Sequence, residues 1–326
     1  MRANSHSGSG SELAVEAIDL RRSFGETKAA DGISLTIPRG MVFGLLGPNG
    51  AGKTTTVRIL TTLLRPDSGV ARVAGFDVTE EPDEVRRRIG LVGQYASVDE
   101  IISGRQNLIL IGRLYGMTSS QAKRRADELL ERFDLLEPGK KAVKTYSGGM
   151  RRRLDLAASL VVSPSILFLD EPTTGLDPNG RAATWDVIST MTKGGTTVLL
   201  TTQYLEEADR FAEKIAVIDH GRVVAEGSPA ELKARLGRST LVVHLGGGLT
   251  EGAATAAVTR FAASAPQRRG DELVVSIDDL AGTAELIKAL GAAGATLDQI
   301  HIAKASMDDV FFELTGRDRM PEGKAA

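Results

Sequence analysis

Three stretches carry side chains whose types and spacing could handle a polyphosphate. The first is Gly47-Pro48-Asn49-Gly50-Ala51-Gly52-Lys53-Thr54-Thr55. It follows an apolar run, Met41–Leu46, and precedes a helical pattern from Thr54 to Leu64. A glycine loop between a strand and a helix is the context in which a P-loop match has meaning. Its glycines let successive N–H groups point into one concavity, and the positive end of the helix faces the same place. Lys53 can reach β- and γ-phosphates, and the Thr54 hydroxyl can ligate Mg²⁺. The chemistry predicted is nucleoside triphosphate binding.

The second stretch is Asp170-Glu171-Pro172, at the end of the apolar run Ile166–Leu169. A carboxylate leaving a buried strand beside a P-loop suits Mg²⁺. The next carboxylate, Glu171, can polarise a water for attack on the γ-phosphate. Such general-base help is worth ~10²–10⁴ in rate. The third stretch is Tyr146-Ser147-Gly148-Gly149-Met150, which opens an amphipathic helix. Ser147 is a natural N-cap, and the two glycines expose backbone N–H groups. It is either an ordinary cap or a second anion cradle. Two cradles in one chain could bind two ligands or close on one nucleotide from opposite sides.

The elements that must position these residues alternate between strand and helix patterns, so an α/β fold is expected. Ile33, Leu35 and Ile37 share one face of a strand. Ala122, Ala126, Leu129, Leu130 and Phe133 share one helical face, and Thr118 with Gln121 has capping-box spacing. Met150, Leu154, Ala157, Ala158 and Val161 repeat the helical spacing, so 95–163 reads as a helical insertion. Buried-type strands return at Ile166–Leu169 and Thr197–Thr201, and Asp219-His220-Gly221 reads as a hairpin turn. Beyond about Ser239 the composition shifts toward Ala and Gly. Strands are expected there at Leu241–Leu245, Glu272–Ile277 and Leu297–Ile302, with helices near Ala253–Phe261, Ala281–Leu290 and Met307–Thr315.

At 326 residues the chain has room for two domains. Hydrophobic residues make up 42% and charged residues 25%, as in an ordinary globular protein. The net charge of −2 gives no global field for nucleic acid. The absence of cysteine excludes disulfides and thiolate metal sites. No apolar run approaches the roughly 20 residues that cross a bilayer. The four histidines show no ligand spacing. Arg86-Arg87-Arg88 and Arg151-Arg152-Arg153 read as solvated charge runs.

The P-loop, Gln94, Ser147-Gly148-Gly149, Asp170-Glu171 and Thr173-Thr174-Gly175-Leu176-Asp177, in this order, resemble an ABC transporter ATP-binding subunit. Three further stretches resemble the daunorubicin/doxorubicin-resistance type of drug-export ATPase. They are Gly93–Glu100, Thr145–Arg153 and Ser306–Phe311. The resemblance implies a RecA-like core, an antiparallel β subdomain and a helical subdomain, followed by a small C-terminal α/β domain. The expected organisation is a disordered tail (1–12), an ATP-binding domain (13–238, helical subdomain about 95–163), a regulatory or dimerisation domain (239–316) and a tail (317–326).

It also implies ATP and Mg²⁺ as cofactors, with Mg²⁺ held by Thr54, Gln94 and Asp170. Glu171, Gln203 and Lys53 would act in catalysis. Ser147, Gly148 and Gly149 would complete the site of an opposite subunit in a homodimer, with Asp177 at that interface. Phe24 stands where the family commonly puts an aromatic that stacks on adenine. Gln203 stands where most relatives place a switch histidine, and an amide donates a hydrogen bond but cannot become cationic. Tyr146 and Met150 replace the Leu and Gln of many relatives. The implied partner is an integral membrane permease, present as two copies or one double-length chain, at the cytoplasmic face of the membrane. The implied cargo is a hydrophobic drug-like or lipid-like compound. The alternative is a non-transport clamp on DNA or ribosomes; the single cassette and lack of basic excess argue against it.

Overall fold

The computed structural model describes residues 12–93, 97–236, 239–262, 265–277 and 283–316. They divide into two compact units between Ser228 and Pro229. Glu12 is tied down, its carbonyl accepting the Arg39 N–H at 3.1 Å. The rest of the two expected tails lies outside the described residues, as does Gln94.

The first unit opens with β1 (Leu13–Phe24), β2 (Thr27–Pro38), β3 (Val42–Leu46), α1 (Lys53–Leu60), β4 (Ser68–Val73), β5 (Phe76–Asp77), α2 (Pro82–Arg86) and β6 (Ile89–Val92). It continues through α3 (Gly104–Leu114), α4 (Ser119–Arg132) and α5 (Gly148–Ser159). It ends with β7 (Ile166–Asp170), α6 (Pro178–Lys193), β8 (Thr197–Thr202), α7 (Leu205–Phe211), β9 (Lys214–Asp219) and β10 (Arg222–Gly227).

Two sheets result. One is antiparallel, in the order β2-β1-β4-β5. The other has the order β10-β9-β3-β8-β7-β6, parallel except for the edge strand β10. The sequence explains the difference. β3, β7 and β8 are buried at every position, as central parallel strands require. β2 alternates over its second half, burying Ile33, Leu35 and Ile37. Those three join Phe43 and Leu45 of β3 in one core cluster, which fuses the two sheets. Each such side chain contributes about 1.5–3 kcal/mol on burial.

The helical region begins later than the sequence pattern suggests, with α3 at Gly104. Ser103 starts it with a capping box to Gln106, and Thr118 starts α4 with one to Gln121. α4 buries Ala122, Ala126, Leu129 and Leu130.

The second unit contains α8 (Pro229–Leu236), β11 (Ser239–His244), α9 (Glu251–Val258), β12 (Gln267–Arg269), β13 (Glu272–Ile277), α10 (Thr283–Ala292), β14 (Ile300–Lys304) and α11 (Met307–Thr315). Its sheet runs β12-β13-β11-β14 with every pair antiparallel. Between α8 and α11 this is a split βαββαβ unit of ferredoxin-like topology. Leu241, Val243, Leu273, Val275, Ala254, Val258, Leu286 and Leu290 share its core. The unit starts ahead of residue 239 because α8 packs against α11. β12 is a three-residue polar strand with no apolar pattern to reveal it. β14 starts at Ile300, since Leu297–Gln299 is a 3₁₀ turn with a capping box at Thr296.

Among the described residues no helix is long and apolar enough to cross a membrane.

Candidate nucleotide site

The site is built at the carboxyl ends of three adjacent parallel strands. Thr201 of β8 lies in register with Leu45 of β3 on one side and Asp170 of β7 on the other. In open α/β sheets the ligand crevice lies at this end. The loop after β3 is held from below. A side chain at Gly52 would place its Cβ 2.1 Å from the Ala29 carbonyl, and one at Gly47 would lie 2.2 Å from the Ile218 carbonyl. Both glycines are thus demanded by neighbouring backbone. The Gly221 N–H donates to the Ala51 carbonyl at 2.9 Å, tying the loop to the β9–β10 turn. Gly52 caps α1 in a left-handed conformation and supplies no side-chain acceptor, leaving the first N–H groups of α1 for another partner.

Lys53 is buried. Its ammonium donates to the Gly47 carbonyl at 2.7 Å and the Pro48 carbonyl at 3.1 Å. Burial lowers its pKa, and the charges of Glu171 and Asp170 oppose that shift. A buried cation bonded to neutral carbonyls is poorly compensated, so the concavity fits an anion. The Thr54 hydroxyl lies 3.4 Å from Asp170 Oδ1. Those two groups, 116 positions apart, form a pair of hard oxygen ligands, the donor type Mg²⁺ takes. Thr201 donates to the same Asp170 oxygen at 2.6 Å and fixes it.

Glu171 follows with φ 50, in the left-handed region. For a residue with a Cβ this costs on the order of 1–3 kcal/mol and persists only when neighbours enforce it. Its N–H donates to both the carbonyl and the hydroxyl of Thr201 at 3.1 Å. Its carboxylate accepts from the Thr174 hydroxyl at 3.2 Å.

Ser147 caps α5 by accepting the Met150 N–H at 3.2 Å. Open space surrounds Gly148 and Gly149 on the side where a Cβ would be. Ser147, Gly148 and Gly149 line a cleft of about 480 Å³ with Gly175, Leu176 and Asp177. No residue of 47–55 lines that cleft. Asp177 caps α6, its Oδ1 accepting the Gly180 N–H at 2.7 Å. The structure therefore brings Lys53, Thr54, Asp170 and Glu171 together. It places Ser147, Gly148, Gly149 and Asp177 in a different cleft.

Phe24 ends β1 and is 50% exposed, so its ring is a surface platform and not part of the core. The Arg22 guanidinium sits 5.1 Å from the ring centroid and is anchored to Asp67 at 2.7 Å. Gln203 lies half-buried at the exit of β8. The next residue, Tyr204, is fixed by its N–H to the Thr202 hydroxyl at 3.0 Å and by Arg181 stacked 4.4 Å from its ring.

Sequence reasoning missed Thr201 and Arg152. Thr201 could be suspected from a pair of hydroxyls ending an apolar strand. Arg152 corrects the solvated reading of Arg151-Arg152-Arg153, since it is buried against carbonyl groups. Arg86 and Arg87 keep the expected exposed character and pair with Asp83 and Glu84.

Residues 30–174 match the family model described as ABC transporter, and 227–315 match the C-terminal domain of DrrA1-3-like ATP-binding proteins. A daunorubicin resistance ATP-binding protein, DrrA3, of Streptomyces coeruleorubidus is 50% identical over 94% of this chain and 98% of its own length. Among solved structures, cbiO1 of Clostridium perfringens, part of an ABC transporter complex, superposes with a TM-score of 0.64 at 27% identity. The match covers 69% of this chain and 92% of that one. An ATP-binding cassette bound to ADP and phosphate, solved as a dimer in a post-hydrolysis state, gives 0.60 at 25% identity, covering 66% and 98%.

Proposed function

The chain belongs to the ABC transporter ATP-binding subunits of the daunorubicin/doxorubicin-resistance type, and from that membership we propose how its residues turn ATP hydrolysis into transport. It is the ATPase of an export system, and the clamp on DNA or ribosomes is set aside. Two copies sandwich two ATP molecules. In each site one copy supplies Lys53, Thr54, Asp170 and Glu171, and the other supplies Ser147, Gly148 and Gly149. The observation that carries this is the separation of the two cradles within one chain: the glycine cleft beside Asp177 is lined by nothing from 47–55. A second copy brings them together.

The glycine loop Gly47–Gly52, the N–H groups that open α1 and the Lys53 ammonium hold the phosphates. Thr54 and Asp170 would hold Mg²⁺, with Gln94 as a further ligand, and the ion would supply positive charge to the phosphate oxygens. Glu171 orients the attacking water and takes its proton. Gln203 donates a hydrogen bond toward the γ-phosphate. Phe24 stacks on adenine. The dimer works at the cytoplasmic face of the membrane against a separate permease, contributed as two copies or one double-length chain. The cargo is a hydrophobic drug-like or lipid-like compound. The C-terminal unit is a regulatory or dimerisation element, and no nucleic acid is involved.

Light scattering on purified Glu171→Gln tests the shared site. The expected result is a monomer that becomes a dimer only with Mg-ATP, and a Ser147→Arg variant that abolishes the shift. A chain that binds ATP and never changes mass refutes closure by nucleotide alone.

A further inference from the structure

Arg152 lies about one and a half turns into the helix that Ser147 caps. Its side chain is 9% exposed. The guanidinium donates to carbonyls on two separate strand exits. Nε donates to Pro172 at 2.7 Å and Nη2 to Glu171 at 3.4 Å, both just beyond β7. Nη1 donates to Gly93 at 2.7 Å, just beyond β6.

A carboxylate is within reach, yet the guanidinium does not dock on it. Asp155 Oδ2 stands 3.5 Å from Nη1 and has no hydrogen-bond partner. Asp155 Oδ1 accepts the Ser97 N–H at 2.8 Å. Buried arginine ordinarily forms a two-pronged fork with carboxylate. Here the carbonyl groups set its position and Asp155 supplies only charge. Burial lowers the arginine pKa, and Asp155 and Asp170 counter it.

The Glu171 carbonyl it holds belongs to the residue in the left-handed conformation. Thr201 holds that residue from the N–H side, and on the carbonyl side Arg152, at 3.4 Å, shares the oxygen with the Thr174 N–H at 3.3 Å. Thr201 is fixed in the sheet, whereas Arg152 rides on the cradle helix.

We propose that Arg152 is a positioning residue that couples the placement of the Ser147-Gly148-Gly149 helix to the backbone of Glu171. A partner's phosphate settling on the N-terminus of α5 then also sets the angle of Glu171. This rests on Glu171 acting as the base, as read above. Lysine cannot replace arginine here, because one ammonium on a flexible stem cannot reproduce a planar fork.

The experiment is a double-mutant cycle on the purified full-length chain: wild type, Arg152→Lys, Glu171→Gln and the double variant. ATP affinity, steady-state turnover and thermal midpoint are measured for each. Arg152→Lys is expected to lower kcat at least about tenfold, a part of the ~10²–10⁴ that a general base supplies. Its ATP affinity is expected to stay within about threefold, since P-loop contacts are untouched. In the Glu171→Gln background the same change is expected to alter the residual rate by less than about twofold, because residues acting as a unit are non-additive. An equal loss in both backgrounds, or a parallel loss of ATP affinity, overturns the coupling. If Glu171→Gln alone leaves turnover intact, the assignment of Glu171 itself fails, and the coupling with it. Should Arg152→Lys not fold, Arg152→Gln with Asp155→Asn removes both buried charges together and carries the same expectation.

Discussion

Thr201 offers the sharpest test of how the metal side of the site is held. Its buried hydroxyl donates to Asp170 Oδ1 at 2.6 Å and receives the Glu171 N–H at 3.1 Å. Thr201→Val keeps the volume and the backbone carbonyl and removes only that hydroxyl. A hydrogen bond to a charged group contributes about 1.5–3 kcal/mol, or about 10- to 150-fold in an equilibrium constant. Partners that orient a metal ligand cost a similar 10- to 100-fold when lost. The expected result is an Mg²⁺ half-saturation for ATP turnover raised about 10- to 100-fold. The thermal midpoint should fall about 3–12 °C, at about 2–4 °C per kcal/mol for a domain of this size. Turnover is followed across Mg²⁺ concentrations at saturating ATP, with melting measured in parallel. An Asp170→Asn background should erase most of the effect on Mg²⁺. If Thr201→Val keeps the wild-type Mg²⁺ dependence while its stability falls, then Thr201 supports the fold and does not set Asp170 for the metal, and the reasoning is refuted.

Three further outcomes follow from the site. Phe24→Ala should weaken nucleotide binding about 5- to 150-fold, since stacking on a base contributes about 1–3 kcal/mol; binding of a fluorescent ATP analogue checks it, and an unchanged affinity removes Phe24 from the site. Lys53 has its folded pKa held below its unfolded value of 10.5 by burial. Between those two values the unfolded chain binds the extra proton, so nucleotide-free stability gains a contribution as pH rises toward 10.5. Denaturation of wild type against Lys53→Met across alkaline pH should show that slope only in the wild type. Gln203 cannot titrate, so Gln203→His should add an acid limb to the pH–rate profile near the histidine value of about 6.5. An unchanged acid limb speaks against any contact of position 203 with the reacting phosphate.

Much of this was legible because local chemistry and burial agreed. β3, β7 and β8 are short buried runs that lead into the site: the glycine loop follows β3, Asp170 closes β7, and Thr201 is the last residue but one of β8. The Thr118 and Gln121 spacing became a capping box. What stayed hidden depends on long-range placement. Gly47 and Gly52 are required by the Ile218 and Ala29 carbonyls, which no local pattern can reveal. Arg152 sits between two arginines in a run that reads as solvated, and only the packing of α5 against the strand exits buries it. β12 is short and polar, and its partner β13 alone gives it a strand's shape. Phe24 was singled out only through the family resemblance, and its 50% exposure is what makes it a surface platform.

The left-handed turn at Glu171 resolves a geometric conflict in the site. Successive residues of a strand point to opposite faces. The proposed mechanism nevertheless needs two consecutive carboxylates, Asp170 for the metal and Glu171 for the water, on the same side. The structure places both charges close enough to Lys53 to oppose the lowering of its pKa by burial. A regular β7 would turn one of them away. Ending the strand at Asp170 and taking φ 50 at Glu171 swings the second carboxylate back. Glycine would adopt that conformation without strain, and it has no carboxylate. The strain is thus the consequence of asking one position for a base and a reversal of direction together. Thr201 and Arg152 are the two side chains that brace it, one from the sheet and one from the helix, alongside backbone hydrogen bonds to the Thr201 carbonyl and from the Thr174 N–H. On the proposed coupling, the Glu171 carboxylate is aligned only while the sheet and the cradle helix keep their relative placement, which is the quantity that closure of a dimer around ATP would control.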